Sequence, residues 1–260
     1  QTFQPGTTMG DTVFTATIAD DLRAHDRLAR ADLVLYDALI DDSLLNIAAN
    51  AQRFYVGKRA GRHSMSQQTI QNLLVRYARE GKRVVRLKAG DPFVLGRGGE
   101  EALALEAAGV PYEVVPGLSS AVAGPAFAGI PLTHRKLASN FVMLSGHAAS
   151  GYEPILHALP PQSATLVILM GFGRRHAIID TLLESGWART TPAAIVAGAG
   201  TSSQSLWFGD LDGLYATSFD PEGAPVTLVI GATVELANQI RGTAPIEDIS
   251  ASSIEMRTHP

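Results

Sequence analysis

VGKRAGRHSMSQQTIQNLLVRYAREGKRVVRLKAGDPFVLGRGGEE, residues 56–101, is the stretch that decides the fold. In its middle, Gln67–Glu80 sets Ile70, Leu73, Leu74 and Tyr77 at helical spacing and stops at Gly81, a residue that ends helices because it takes positive φ at little cost. The apolar run Val84–Leu87 follows as a strand, and Glu100–Ala108, ending at Gly109, as the next helix. A glycine-containing, charged turn follows each strand end, one beginning at Gly57 and one at Lys88. Such turns at the carboxyl ends of strands are how α/β folds hold anionic substrates and nucleotide-like cofactors.

Working outward, Thr12–Thr17, Leu33–Tyr36, Arg53–Val56 and Tyr112–Val115 read as further strands, with the helical segment Asp20–Arg30 between the first two. Strands alternating with helices predict a parallel sheet with helical crossovers. After Pro131–Arg135 the pattern restarts with the apolar runs Phe141–Leu144, Thr165–Leu169, Ala193–Val196 and Val226–Ile230 and the helix His176–Ser185. Ser203–Leu211 reads as a hairpin element, which predicts a mixed second sheet. The expected organisation is α/β throughout: one domain over 1–136, a second over 137–245, and an irregular tail over 246–260.

Composition removes several classes of function. With 46 % hydrophobic and 18 % charged residues, the chain of 260 residues is globular rather than disordered. A formal net charge of −4 argues against a nucleic-acid binder held by phosphate contacts, while leaving room for a local basic site. Cysteine is absent, so thiolate nucleophiles, thiolate metal sites and disulfides are excluded and a reducing compartment fits. No apolar run reaches membrane-spanning length, and the first dozen residues lack a signal-peptide pattern, so a cytoplasmic protein without membrane attachment is expected. His63, His134 and His147 lack metal-ligand spacing, and no metal is expected.

Each candidate residue carries two readings. Lys88-Ala-Gly-Asp-Pro92 offers bare backbone and an acceptor in Asp91 for groups such as ribose hydroxyls; equally, Asp-Pro caps tight turns. Gly96-Arg-Gly-Gly-Glu-Glu101 opens a helix, where free amides suit an anion and Arg97 can grip a carboxylate with two bonds. Glu101 is accounted for by the helix dipole, whereas Glu100 divides evenly between that role and a ligand role. Lys58, Arg59, Arg62 and His63 form a basic cluster after a strand, either a solvated loop or part of a site. Asp37, after Leu33–Tyr36, reads more readily as a cap than as a site residue. Pro116-Gly-Leu-Ser-Ser120 could hold a cofactor carboxylate, and Met170, at the end of a strand, is more often core packing than a ligand contact. Individually these are weak; together they would converge on one sheet edge.

Taken in order, the segments ADLVLYDALI (31–40), VGKRAGRHSMSQ (56–67), RVVRLKAGDPFVLGRGGEEALAL (83–105), VVPGLSSAVAGPAFAGIPLTHR (114–135), LSGH (144–147), TLVILMG (165–171) and GT (200–201) resemble the S-adenosylmethionine:uroporphyrinogen-III C-methyltransferase family of the tetrapyrrole methylase superfamily. The resemblance implies a homodimer of two-domain α/β chains with the cofactor in the cleft between the domains. It implies methyl transfer from S-adenosylmethionine, leaving S-adenosylhomocysteine, to two pyrrole carbons of uroporphyrinogen III, giving precorrin-2 for sirohaem, cobalamin or haem d1. Uroporphyrinogen III bears eight carboxylates, which suits a basic site within an acidic protein. By resemblance, Arg59, Arg97 and Arg135 bind the macrocycle, together with Glu100 and Met170, and Arg97 also serves catalysis. Asp37 matches the family's proton acceptor and Lys58 its proton donor, while Gly90, Asp91, Val94, Ser119, Ser120, Met170 and Gly200 fall at cofactor positions.

One departure bears on activity. The family carries a glycine- and proline-rich loop after its first strand, where this chain reads TVFTATIADDLRAH (12–25). A loop without glycine neither reaches positive φ cheaply nor approaches a ligand closely. Two alternatives therefore stand beside the main reading: a methylase of a later corrin precursor, and a weakly active binding paralogue.

Overall fold

The structure is a computed structural model that describes residues 12–16, 22–57 and 65–240, with the first segment described by its backbone. The tail expected over 246–260, and most of the departing loop after residue 16, lie outside the described residues. The chain divides into two compact units between Ser119 and Ser120.

The first unit alternates strand and helix: β1 (Thr12–Ala16), α1 (Leu22–Ala29), β2 (Leu33–Tyr36), α2 (Asp42–Ile47), β3 (Gln52–Tyr55), α3 (Gln67–Arg79), β4 (Val84–Lys88), α4 (Gly98–Ala107) and β5 (Tyr112–Val114). Its sheet runs β3-β2-β4-β1-β5, with every pairing parallel, as the alternation predicts. Parallel strands covered by helices on both faces must be apolar on both. Accordingly Leu33, Leu35 and Val84 pack with Ile70, Leu74 and Leu105 on one face, and Val34, Val85 and Leu87 with Leu28 and Leu45 on the other. Helix α3 starts where Ser66 accepts a hydrogen bond from the Thr69 amide at 3.1 Å, and it buries Ile70, Leu74 and Ala78 at four-residue intervals.

The second unit comprises α5 (Ser120–Phe127), β6 (Phe141–Ser145), α6 (Ala149–Ala158), β7 (Thr165–Leu169), α7 (Arg175–Glu184), β8 (Pro192–Ala197), β9 (Ser205–Asp210), α8 (Leu211–Ala216), β10 (Val226–Ile230) and α9 (Ala237–Ile240). Its sheet, β6-β7-β10-β8-β9, pairs β6 with β7 in parallel and the rest antiparallel, so it is mixed. The element expected at Ser203–Leu211 is β9, the partner of β8. Whereas the sequence suggested a boundary after 136, helix α5 lies with the second unit, where Gly124 sits on Thr227 of β10; a Cβ at 124 would come 3.2 Å from the threonine hydroxyl. Among the described residues, no helix is long and apolar enough to cross a membrane.

Candidate active site

The carboxyl ends of β2, β3 and β4 meet around a cavity of about 320 Å³ lined by Asp37, Gly57, Gln67, Arg86, Lys88 and Arg97, among others. Each element delivers its residue for a local reason. Asp37 is the first residue past β2. Gly57 follows β3 so closely packed on the end of β2 that a Cβ would stand 2.3 Å from the Ala38 nitrogen, which no other residue tolerates. Beyond β4, the turn Ala89–Arg97 folds back on Pro92: the Gly98 amide donates to the Pro92 carbonyl at 2.9 Å, and a Cβ at 98 would come within 2.5 Å of that oxygen. That explains the glycines of Gly96-Arg-Gly-Gly-Glu-Glu101. The same turn holds Leu95 at φ 54° and Arg97 at φ 58°, a left-handed region that costs an L-residue about 1–2 kcal/mol. Strain of this kind concentrates at ligand sites.

Arg97 caps the start of α4 without a side-chain cap bond and turns its guanidinium onto Glu100. Nε donates to Oε1 at 2.8 Å and Nη2 to Oε2 at 2.7 Å, the bidentate grip expected of a carboxylate ligand. Each raises the other's charged form: Glu100 holds the guanidinium more firmly protonated, and Arg97 holds the Glu100 carboxyl below its usual range. Both side chains are half exposed, so a carboxylate arriving from solvent can exchange with Glu100 at modest cost.

Beneath the cavity lies a cluster that the sequence reading missed. Arg86 and Lys88, two apart on β4, share the face of Val84, and both are buried. Glu101 of α4 is fully buried between them: Arg86 Nε donates to its Oε1 at 3.2 Å, Lys88 Nζ to its Oε2 at 3.3 Å, and Gln67 Nε2 to Oε1 at 3.0 Å. Helix-dipole placement therefore does not account for Glu101; it is the counter-ion of two buried cations. Arg86 also donates from Nη2 to Asp37 Oδ1 at 2.6 Å, while Lys88 Nζ stands 3.7 Å from Oδ2. Burial pushes the Lys88 ammonium below the ordinary lysine value; the Arg86 charge adds to this, while Glu101 and Asp37 oppose it. Asp37 is thus no helix cap: that task falls to Asp41, which accepts from the Ser43 amide at 2.7 Å. The signal was present in VVRLK, where two cations alternate inside an apolar strand.

Asp91 spends both oxygens on backbone, accepting from Phe93 N at 2.8 Å and from Gly117 N at 3.1 Å. This is the turn-capping reading, extended to tie the turn after β4 to the Pro116-Gly-Leu-Ser loop; a carboxylate keeps further lone pairs for a ligand. Gly90 takes φ 72°, and Val94 is half-buried in the same turn. Ser119 closes the first unit. Lys58 and Arg59 lie outside the described residues.

In the second unit, Ser120 opens α5 and Arg135 is exposed in the segment before β6. Met170 is 53 % exposed at φ 57°, which overturns core packing as its explanation. Next to it, Gly171 is pressed against Gly146, where a Cβ would come 2.3 Å from the Gly171 Cα. Gly200, past β8, sits at φ 75° with the Phe127 ring filling the space a side chain would need.

Residues 22–215 match the family described as Tetrapyrrole (Corrin/Porphyrin) Methylases. Siroheme synthase 1 of Cronobacter sakazakii is 43 % identical over 221 residues, 84 % of this chain and 47 % of that protein. Siroheme synthase 1 of Halorhodospira halophila is 42 % identical over 236 residues, 88 % of this chain and 49 % of its own. The chain thus spans about half the length of the curated relatives it matches. The uroporphyrin III C-methyl transferase of Thermus thermophilus, at 36 % identity, covers 87 % of this chain and 100 % of its own with a TM-score of 0.72; its complex with S-adenyl homocysteine gives 0.71. A cobalt precorrin-4 methyltransferase superposes with a TM-score of 0.74 at 22 % identity, a likeness of fold.

Proposed function

Because this chain belongs to the tetrapyrrole (corrin/porphyrin) methylase family, we propose that it transfers methyl groups from S-adenosylmethionine to two pyrrole carbons of uroporphyrinogen III, giving precorrin-2 on the way to sirohaem or cobalamin. The reading includes a homodimer working in the cytoplasm. The observation that carries it is the cavity holding both Asp37 and Arg97, a carboxylate base beside an exchangeable carboxylate clamp, in a chain alike in sequence to a uroporphyrin III methyl transferase along that enzyme's whole length.

The residues fit a nucleotide-like methyl donor. Ala89 and Gly90 leave the end of β4 bare of long side chains, Gly90 at positive φ turns the backbone there, and Asp91 retains acceptor capacity beside it. The donor's sites in the proposal are Gly90, Asp91, Val94, Ser119, Ser120, Met170 and Gly200. When bound, S-adenosylmethionine supplies a methyl group whose C–S electron pair stays on sulfur as the pyrrole π electrons form the new C–C bond.

The chain's own residues do the rest. Arg97 releases Glu100 and takes a substrate carboxylate, assisted by Arg59 and Arg135, fixing the ring for in-line attack. A methylated pyrrole carries a positive charge that is discharged when a carbon-bound proton leaves. Asp37 accepts that proton, and Lys58 returns a proton where the ring requires one. Incubation with uroporphyrinogen III and methyl-labelled S-adenosylmethionine tests the proposal. Two labelled methyl groups per macrocycle are expected, and an unlabelled macrocycle overturns it.

A further inference from the structure

Arg86 is a buried arginine whose guanidinium has no freedom left. Nη1 donates to the Leu35 carbonyl at 3.2 Å and to the Leu87 carbonyl at 3.1 Å, on β2 and β4. Nε holds Glu101 at 3.2 Å and Nη2 holds Asp37 at 2.6 Å. Two backbone carbonyls and a fully buried carboxylate therefore fix the plane of the fork, and the fork in turn fixes Asp37.

Neutralising Glu101 does not explain the arrangement, because Lys88 and Gln67 already donate to that carboxylate. Two buried cations face one fully buried anion, and the second cation is balanced only by Asp37, whose side chain is 29 % exposed at the cavity. The two oxygens of Asp37 differ as a result. Oδ1 carries the short bond to Arg86, whereas Oδ2 has Lys88 at 3.7 Å, beyond hydrogen-bond reach, as its nearest cation among the described residues.

We propose that Arg86 is the positioning residue for Asp37: it captures Oδ1, fixes the carboxylate as an anion, and leaves Oδ2 as the oxygen that removes the substrate proton. The C–H electron pair of the substrate stays in the macrocycle and cancels the charge left by methylation, while the proton passes to Oδ2. This rests on the reading of Asp37 as the base in methylation of uroporphyrinogen III.

The test is a double-mutant cycle on full-length protein with uroporphyrinogen III. Arg86→Lys keeps the charge and loses the fork. It should lower kcat about 100-fold, the usual scale of a general base, with KM and S-adenosylhomocysteine affinity held within about threefold. Asp37→Asn should cause a similar loss, and the double variant should be no slower than Asp37→Asn alone, because Arg86 acts through that carboxylate. Multiplying losses, or wild-type kcat in Arg86→Lys, overturns the proposal. Should Arg86→Lys not fold, the charge-balanced pair Arg86→Gln with Glu101→Gln takes its place, with the same expected loss in kcat and wild-type kcat as the overturning result. A wild-type chain that leaves uroporphyrinogen III unmethylated sinks the functional reading itself, before any variant is compared.

Discussion

Strands β4 and β7 are both five residues long and buried along their whole length, yet their chemistry is opposite. β7, TLVIL, is what burial on both faces demands, and Leu166 and Ile168 sit in the core of their unit without any solvent exposure. β4, VVRLK, gives one face to Arg86 and Lys88. Removing an ion from water costs several kcal/mol even after the protein relaxes, so this face is kept at the expense of stability and is offset only by a complete set of partners. In β7, then, packing decides sequence, whereas in β4 the geometry required of Asp37 decides it.

That contrast can be broken at several points. Glu101→Ala strips the counter-ion from two buried cations and should lower the unfolding free energy by about 3–5 kcal/mol in urea titration. A loss smaller than that of a simple cavity would mean that solvent, not Glu101, balances the charges. Rewriting β4 in the manner of β7, with Arg86→Met, Lys88→Met and Glu101→Leu together, should leave stability unchanged or raise it by up to about 4 kcal/mol while methyl transfer disappears. A triple variant that melts early would show the ions to be net stabilising and dissolve the contrast. On β7, Ile168→Val should cost about 0.5–1.5 kcal/mol and leave turnover intact; lost turnover would give β7 a role beyond packing. Least of all, Arg76→Ala, which opens the exposed pair with Glu80 on α3, should leave the urea midpoint unmoved, and any clear shift would argue that charge matters on this helix wherever it sits.

Legibility followed the same division. Apolar runs gave β2, β7 and β10 to the residue, and the spacing Ile70, Leu74, Ala78 gave α3, because periodicity is the direct imprint of burial. Helices α5 and α6 escaped, since each carries an internal glycine and proline that read as loop signals. At the site, Asp37 and Arg97 were both named, and the structure puts them on one cavity; the engagement of Arg97 by Glu100 lies one helical turn away and follows from spacing. The pairing of Glu101 with Arg86 and Lys88 was not legible. It joins α4 to the middle of a sheet, and the bland explanation of a helix-start glutamate, a favourable dipole, is sufficient until the fold is known. Likewise Met170 took its packing reading from composition, while its exposure is set by a backbone turn at positive φ.

The contact of Gly57 with the Ala38 nitrogen has a consequence for how such a site can diversify. Because no side chain fits at position 57, the peptide leaving β3 is anchored beside Asp37 whatever residues come after it. Substitutions downstream can retune which charges meet a ligand, but they inherit an origin that is sterically frozen. A library built to change substrate preference should therefore randomise beyond Gly57 and leave that glycine, the hinge pin of the loop, untouched.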